Sequence, residues 1–260
     1  MLSALRERWN RRYSNWVPEV ALRYLPVVDA LRQSPPRGLL LEVGGHNAGL
    51  TCFYPSPVVG VDVRVDRGRS TWIRPVCARG QRLPFRARAV DTTVCLDTLE
   101  HVPPADRGDF VRELLRVTGR RLILGCPMGS AAEDEDREVD AYYRKIRGTG
   151  FEFLDEHLQH GLPDLDTVRR ELTRGATQIG CAARIQVQPN QNLWIHRRLM
   201  KLWIRTGPLS YLLHRLAVLL VHVRRGLNLG RCYRFILIVD LHPVAVPQGD
   251  TMRAKARDAT

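Results

Sequence analysis

Two short segments near the start of the chain carry residues suited to binding a ligand that contains a nucleoside. Gly44 and Gly45 follow an apolar run, and a glycine turn at that place lets a ligand approach the backbone at the start of a helix. Asp62 closes the next apolar run, 20 residues after Glu42. A carboxylate at about that distance beyond a glycine turn is typical of one that accepts hydrogen bonds from ribose hydroxyls. We predict this role for Asp62, the alternative being a carboxylate that faces solvent at a strand end.

Histidines and acids in two later segments have the chemistry of a general base. His101 follows the fourth apolar run, while Glu156, His157 and His160 lie in the segment 153–163. An imidazole or carboxylate in contact with a reacting hydroxyl can remove its proton during the reaction. His101 is the leading candidate, although a histidine there could equally cap the following helix. The spacing of these residues matches no zinc signature, so the sequence predicts no metal site.

A sheet must position these residues, because apolar runs alternate with helical patterns through most of the chain. Strands that alternate with helical crossovers predict a doubly wound α/β fold, with a mostly parallel sheet covered on both faces. Ligands of such a sheet bind beyond the carboxyl ends of its strands, where Gly44, Asp62 and Leu96 are expected. The predicted strands are 39–43, 58–63, 72–76, 92–96, 122–126, 184–188 and 233–239.

The segments between the strands differ in how clearly they predict helices. Apolar residues at helical spacing predict a helix over 104–117. A shorter helix is expected to begin at Asp164 or Asp166 and to end at Gly175. The run 133–140 contains six acids and one arginine, a composition that favours a solvated loop leading into a helix.

The positive charge is concentrated in one part of the chain. The formal net charge is +13, and residues 173–238 contain eleven Arg or Lys and no Asp or Glu, which implies an anionic partner or surface. Within this part, residues 193–226 mix arginines with tryptophans and an apolar run. Such a helical segment could lie in a membrane interface, with its arginines on lipid phosphates. The alternative is a pair of helices packed on the sheet or on a second subunit.

The composition excludes several classes of protein. With 44% hydrophobic and 26% charged residues, the chain can bury a core, which excludes wholesale disorder. No apolar stretch reaches the ~18 residues of a spanning helix, and the first residues are charged too early for a signal peptide. Six cysteines without a CxxC pair suit a reducing cytoplasm, so we expect a cytoplasmic protein, peripheral on the inner membrane face if 193–226 binds lipid. The predicted organisation is a helical segment 1–38, a core of 39–192 with 227–247, the insertion 193–226 and a tail 248–260.

Three segments, taken in chain order, resemble a known group of enzymes. They are Gly-Val-Asp at 60–62, an LPF turn at 83–85 and the LEHV segment at 99–102. With this order, residues 39–126 resemble the class I S-adenosylmethionine-dependent methyltransferases, specifically their broad small-molecule group. The resemblance implies a seven-stranded Rossmann-like sheet whose last strand is antiparallel.

The resemblance also implies how S-adenosylmethionine would be bound. Gly44 and Gly45 would line its methionine part, and Asp62 would hold its ribose. The segment 78–80 would border the adenine, and the backbone of Leu96 would contact the amino-acid end. The residues predicted to contact the cofactor are Glu42, Gly44, Gly45, Asp62, Ala78, Arg79 and Leu96.

The sequence departs from the pattern of this family in two places. His46, Asn47 and Ala48 stand where the family usually has glycine and small residues. Arg79 stands where the family commonly has an aspartate that accepts a hydrogen bond from adenine, and an arginine cannot accept one. Either a backbone carbonyl takes that role, or cofactor binding is weakened or lost.

Three hypotheses for function follow. The leading one is methyl transfer, preferentially to oxygen, with a small-molecule or membrane-linked acceptor and with His101, Glu156 and His157 as the catalytic candidates. In the second, the fold has lost catalysis and acts as a binding or scaffold partner, as His46 and Arg79 suggest; a homo-oligomer is compatible with either. The third is a nucleic-acid methyltransferase, suggested by the basic insertion. It is disfavoured because the fourth strand is not followed by an Asn/Asp-Pro-Pro-aromatic segment.

Overall fold

The computed structural model describes residues 13, 16–45, 49–64 and 71–244. Residues 1–12 and 14–15 of the predicted helical segment 1–38 lie outside these residues. So do the departures from the family pattern at His46, Asn47 and Ala48.

Seven strands form one sheet, which confirms the predicted doubly wound, mostly parallel fold. The strands are β1 (Leu40–Val43), β2 (Val58–Asp62), β3 (Ile73–Cys77), β4 (Val90–Leu96), β5 (Thr118–Pro127), β6 (Cys181–Asn192) and β7 (Cys232–Pro243). Their order in the sheet is β3-β2-β1-β4-β5-β7-β6. The pairs among β1 to β5 are parallel, whereas β7 runs antiparallel to both of its neighbours. The chain order reverses between β1 and β4, and that reversal creates a crevice for ligands at the carboxyl ends of the strands.

Helices cover both faces of the sheet. They are α1 (Pro18–Gln33), α2 (Arg107–Val117), α3 (Ser130–Arg147), α4 (Glu152–His160), α5 (Leu165–Gln178), α6 (Leu193–Ile204) and α7 (Pro208–Leu216). Leu122 and Leu124 of β5 belong to the apolar core beneath α2 and α5, whereas Ile123 between them belongs to the core beneath α1. Successive strand residues point to opposite faces, so one buried strand serves two cores.

The acidic run 133–140 is helical and partly buried, so the predicted solvated loop is wrong. Glu135 and Asp136 of α3 are both fully buried. Glu135 accepts hydrogen bonds from Nε and Nη2 of Arg197, at 2.9 and 2.6 Å, and Asp136 accepts one from the hydroxyl of Tyr233 at 2.7 Å. A carboxylate can be buried when its oxygens are hydrogen-bonded. These partners lie 62 and 97 residues away along the chain, where a local pattern cannot reveal them.

The helix predicted to end at Gly175 starts where expected but ends later. The side chain of Asp164 caps α5 by accepting a hydrogen bond from the N–H of Thr167. The helix continues through Gly175 to Gln178. Gly175 is needed for close packing, because a Cβ there would lie 2.6 Å from Cδ1 of Leu115. The prediction that Gly175 ends this helix is wrong.

The segment between β6 and β7, which contains the predicted insertion 193–226, is mostly helical. After α6 and α7 comes a 3₁₀ helix, Ala217–Asn228. Carboxylates far away in the sequence neutralise part of the positive charge of the segment between β6 and β7. Arg197 of α6 pairs with Glu135 of α3, and Arg224 pairs with Asp29 of α1. Among the described residues, none of the helices combines the length and apolarity needed to cross a bilayer.

Candidate active site

The carboxyl ends of β1, β2 and β4 meet where the chain order of the sheet reverses. Val43 at the end of β1 is in register with Val61 of β2 and Cys95 of β4. The N–H of Gly44 donates to the carbonyl of Val61 at 2.8 Å. The structure therefore brings Gly44 together with the residues that close the two neighbouring strands, Asp62 among them, as the sequence predicted.

Asp62 closes β2 with a half-buried side chain. Its Oδ1 accepts a hydrogen bond from the N–H of Arg64 at 3.2 Å. Its carbonyl accepts one from the N–H of Ala78 at 3.1 Å, which brings the segment 78–80 beside it. A carboxylate has acceptor capacity for several donors, so the predicted contact with ribose hydroxyls is chemically compatible with this position.

Segment 78–80 is held by packing on one side and exposed on the other. A Cβ on Gly80 would lie 2.2 Å from Cε2 of Phe110, so that residue must be glycine to pack on α2. The side chain of Arg79 is exposed, and its carbonyl accepts a hydrogen bond from the N–H of Arg82 at 3.0 Å. A carbonyl oxygen has two lone pairs, so the Arg79 carbonyl can accept a second hydrogen bond.

Glu42 is buried beneath the glycine turn. Its carboxylate accepts hydrogen bonds from the hydroxyl of Tyr24 at 2.8 Å and from the N–H of Leu50 at 2.9 Å. A Cβ on Gly45 would lie 2.2 Å from Cδ of Glu42, and one on Gly49 would lie 2.3 Å from Oε1. Burial raises the pKa of Glu42 to about 7, although the two hydrogen bonds oppose the rise. Glu42 thus anchors both ends of the turn, and its direct contact with a ligand stays a prediction.

Position 44 must be a glycine because of Thr98, a residue that the sequence did not mark as a candidate. Its φ is +77°, and a Cβ there would lie 2.0 Å from Oγ1 of Thr98. The Thr98 hydroxyl lies 3.4 Å from the carbonyl of Val43 at the end of β1 and 3.1 Å from that of Leu96 at the end of β4, so it contacts both strand ends. The close approach expected from a glycine turn is therefore made by the protein itself. The sequence offered one signal for Thr98, which is its place in the short segment between β4 and the LEHV residues 99–102.

A buried ion cluster lies directly after β4, and it too was missed. Asp97 has a φ of +45°, and both its oxygens accept hydrogen bonds from Arg234 of β7, with Nε at 2.6 Å from Oδ1. Nε of Arg23 in α1 lies 3.1 Å from Oδ2 of the same carboxylate. Burial alone would raise the pKa of Asp97, but the two guanidinium groups outweigh it and hold the pKa below its ordinary value. Asp97 is therefore ionised and ties the end of β4 to both α1 and β7.

The three predicted catalytic residues come together beside this cluster. Nδ1 of His101 lies 2.6 Å from Oε2 of Glu156, and the rings of His101 and His157 are 4.8 Å apart at their centroids. Nδ1 of His157 lies 2.9 Å from Oδ2 of Asp136. His157 is buried, which differs from a solvated loop histidine, whereas His160 at the end of α4 lies outside the cluster.

Glu100 lies in the same pocket, where its carboxyl group is buried in an environment that disfavours a negative charge. Its side chain is 1% exposed, and within the described part of the chain neither oxygen has a hydrogen-bond partner. Burial, and then the charge of Asp97, raise the pKa of Glu100 well above its ordinary value. Burial and the neighbouring His157 lower the pKa of His101, against the opposing effect of Glu156. The His101 imidazole is therefore neutral at pH 7 and can accept a proton.

The sequence and the fold both match methyltransferases. Residues 42–121 match the family model described as a methyltransferase domain. No curated protein sequence matches the chain. Residues 42–121 are therefore similar to a methyltransferase domain, and the strand order of the sheet agrees with that likeness.

Solved methyltransferase structures share the fold over most of the chain. An S-adenosylmethionine-dependent methyltransferase from Thermotoga maritima superposes with a TM-score of 0.51 and 14% identity, covering 90% of this chain and 97% of its own. Magnesium protoporphyrin IX methyltransferase from Synechocystis, with bound S-adenosylhomocysteine, gives 0.50 and 14%, covering 92% and 94%. A methyltransferase assigned to antibiotic biosynthesis from Anabaena variabilis gives 0.51 and 14%, covering 84% and 98%. At this identity the likeness establishes the fold and leaves the acceptor open.

Proposed function

We propose that this protein transfers the methyl group of S-adenosylmethionine to an oxygen of a small-molecule acceptor. The observation that carries the proposal is the position of the neutral His101 imidazole, one short segment beyond β4. The last residue of β4, Leu96, is a predicted cofactor contact, and His101 follows it by five residues. Methyl transfer is a displacement that depends chiefly on positioning donor and acceptor, and this edge of the sheet offers a place for each.

The residues at the strand ends fit the cofactor. Asp62 can accept hydrogen bonds from both ribose hydroxyls, while the backbone at Gly44 and Leu96 would hold the methionine part. The carbonyl of Arg79 is the acceptor available to adenine, in place of the aspartate that the related family carries. The bound cofactor supplies an activated methyl group, and the protein supplies orientation.

An oxygen acceptor is favoured because a hydroxyl needs to lose a proton. The hydrogen bond between Nδ1 of His101 and Glu156 leaves Nε2 as the ring nitrogen that can accept it. Glu156 positions the ring and stabilises the imidazolium that forms. His157, on the same side, contributes a second imidazole to hold the acceptor.

Calorimetry on the purified protein tests the cofactor half of this proposal. Asp62→Ala should weaken binding of S-adenosylmethionine and S-adenosylhomocysteine at least roughly tenfold, because charged hydrogen bonds are worth about 1.5–3 kcal/mol. Asp166→Ala, at an exposed position on α5, is the matched control and should leave the affinity unchanged. If only Arg79→Asp binds the cofactor and the natural sequence does not, the scaffold hypothesis replaces the enzyme.

Turnover tests the acceptor half. His101→Ala should lower the rate by about 10²–10⁴-fold while leaving cofactor affinity unchanged. An equal loss of cofactor affinity or of thermal stability would assign His101 a structural role instead.

We further propose that the insertion 193–226 binds an anionic membrane surface and so presents a membrane-linked acceptor. The supporting observation is exposure: Leu209, Tyr211 and Leu212 of α7 are 67%, 69% and 52% exposed. Apolar residues exposed beside arginines are typical of interfacial helices. The insertion directly follows β6, whose Gln191 accepts a hydrogen bond from Arg234 of the ion cluster.

Liposome flotation tests this second proposal. The protein should float with phosphatidylglycerol vesicles more than with phosphatidylcholine vesicles, and Leu209→Glu with Tyr211→Glu should abolish flotation. Val244→Glu, another exposed apolar position outside the insertion, is the control. Equal recovery with both lipids would refute binding to an anionic surface, and no recovery would refute membrane binding altogether. Stronger, salt-sensitive binding to RNA would favour the nucleic-acid hypothesis.

A further inference from the structure

Three side chains of the histidine pocket converge in the way that metal ligands do. Glu100, His101 and His157 each offer one ligand atom, and these atoms all lie within 4.8 Å of one another. Glu100 and His157 are buried, and His101 is partly buried. Oxygen and imidazole nitrogen are donors that first-row divalent metals accept readily.

The two histidines are already oriented for such a role. Nδ1 of each ring is hydrogen-bonded to a carboxylate, that of Glu156 for His101 and that of Asp136 for His157. Asp136 is itself fixed, because its other oxygen accepts the hydroxyl of Tyr233 at 2.7 Å. Metal-binding histidines almost always hold their second ring nitrogen in this way, which fixes the ring and leaves Nε2 to the metal.

The remaining atoms of the pocket lack partners. Within the residues that the structure describes, Oε1 and Oε2 of Glu100 and Nε2 of His157 make no hydrogen bond. Leaving buried polar atoms unpaired is unfavourable, and one cation would satisfy all three atoms at once. Nε2 of His157 lies 3.9 Å from Oε1 of Glu100. Two ligands of a tetrahedral zinc ion are about 3.3 Å apart, so small side-chain rotations would close the site.

We propose that Glu100, His101 and His157 bind one divalent transition-metal ion, for which Zn²⁺ is the best match among common metals. Two imidazoles and one carboxylate leave at least one coordination position for water or an oxygen of the acceptor. Asp136 and Glu156 support the ligands without touching the ion. This site is separate from the proposed cofactor contacts at Gly44 and Asp62, but it uses the Nε2 of His101 to which the proposed function gives the role of base. With the ion bound, that nitrogen is a ligand and accepts no proton, so the two roles of His101 exclude each other.

Metal binding can be measured without cofactor or acceptor, so the test does not depend on the proposed function. The full chain, stripped with EDTA and dialysed, is titrated with Zn²⁺ by calorimetry, and the bound metal is counted by mass spectrometry. One Zn²⁺ per chain is expected. Glu100→Gln and His157→Gln should each weaken binding more than the supporting change Asp136→Asn, which should cost about 10–100-fold.

Controls separate a ligand from a residue needed for folding. His160→Gln removes an imidazole from the same helix as His157 and should leave Zn²⁺ affinity unchanged. Melting curves of the EDTA-treated variants should match that of the unaltered chain, and Zn²⁺ should raise the melting temperature only of proteins with the three ligands intact. The proposal would be overturned if the unaltered chain binds none of Zn²⁺, Co²⁺ and Mn²⁺. It would also be overturned if Glu100→Gln and His157→Gln bind Zn²⁺ as tightly as the unaltered chain does.

Discussion

Glu42 should make the protein less stable as the pH rises, which is the reverse of the usual behaviour of a paired carboxylate. Burial raises its pKa from 4.5 to about 7 in the folded protein. Between these pH values the folded chain keeps the proton that the unfolded chain has lost. The free energy of unfolding therefore falls as the pH rises from 4.5 towards 7 and then stays constant. At 1.36 kcal/mol per pH unit, the full loss is about 3 kcal/mol.

Glu42→Gln should remove this dependence. Its amide oxygen can still accept from Tyr24 and Leu50, but no charge forms. In urea denaturation between pH 5 and 8, the unaltered chain should lose about 2–3 kcal/mol relative to Glu42→Gln. Glu152→Gln, which removes the same charge from an exposed position, should follow the unaltered chain throughout.

A second variant checks the cause of the effect. The Tyr24 hydroxyl lowers the pKa of Glu42 by donating to its carboxylate, so Tyr24→Phe should move the fall in stability to higher pH. Stability curves of Glu42→Gln and the unaltered chain that stay parallel from pH 5 to 8 would refute the reasoning. The hydrogen bonds from Tyr24 and Leu50 would then outweigh burial.

Two further changes test the contacts around β4. Gly44→Ala should lower the free energy of unfolding by about 1–3 kcal/mol, because of its positive φ and the approach of Thr98. Thr98→Ala in the same chain should restore part of that loss in thermal melting, whereas an unchanged melting temperature in the single variant would contradict the packing described. Arg234→Met should cost about 3–5 kcal/mol, because Asp97 would keep only Arg23 as a partner for its buried charge. A loss below about 1 kcal/mol in urea denaturation would show that Asp97 becomes protonated or hydrated instead.

The sheet and its ligand-binding edge were predictable because their signals are local. Apolar runs bounded by turns identify strands, and alternation with helices fixes a parallel sheet with ligands at the carboxyl ends. Gly44 and Asp62 follow directly from that geometry. The carboxylates of Glu135 and Asp136 could not be assigned in the same way, because their burial depends on Arg197 and on β7.

The candidate metal ligands show why spacing can mislead. A zinc signature assumes that ligands lie on one short element, but here two residues follow β4 and the third lies on α4. His101 and Glu100 are adjacent in sequence, whereas His157 arrives only when α4 packs against them. The sequence named both histidines as candidates for acid–base chemistry but contained no signal that Glu100 would be buried without a partner.

The arginines that neutralise Asp97 lie far apart in the sequence, one before it and one after it, and this affects the order in which the protein can assemble. Arg23 is made before the fourth strand, but Arg234 lies 137 residues after Asp97. A nascent chain that has not yet released β7 has only one of the two charges, and β5 still exposes the edge that β7 will cover. Burying Asp97 in that state is costly, and closing so long a loop is slow. The candidate site therefore forms late, only after β7 has left the ribosome, although the matched domain ends at residue 121.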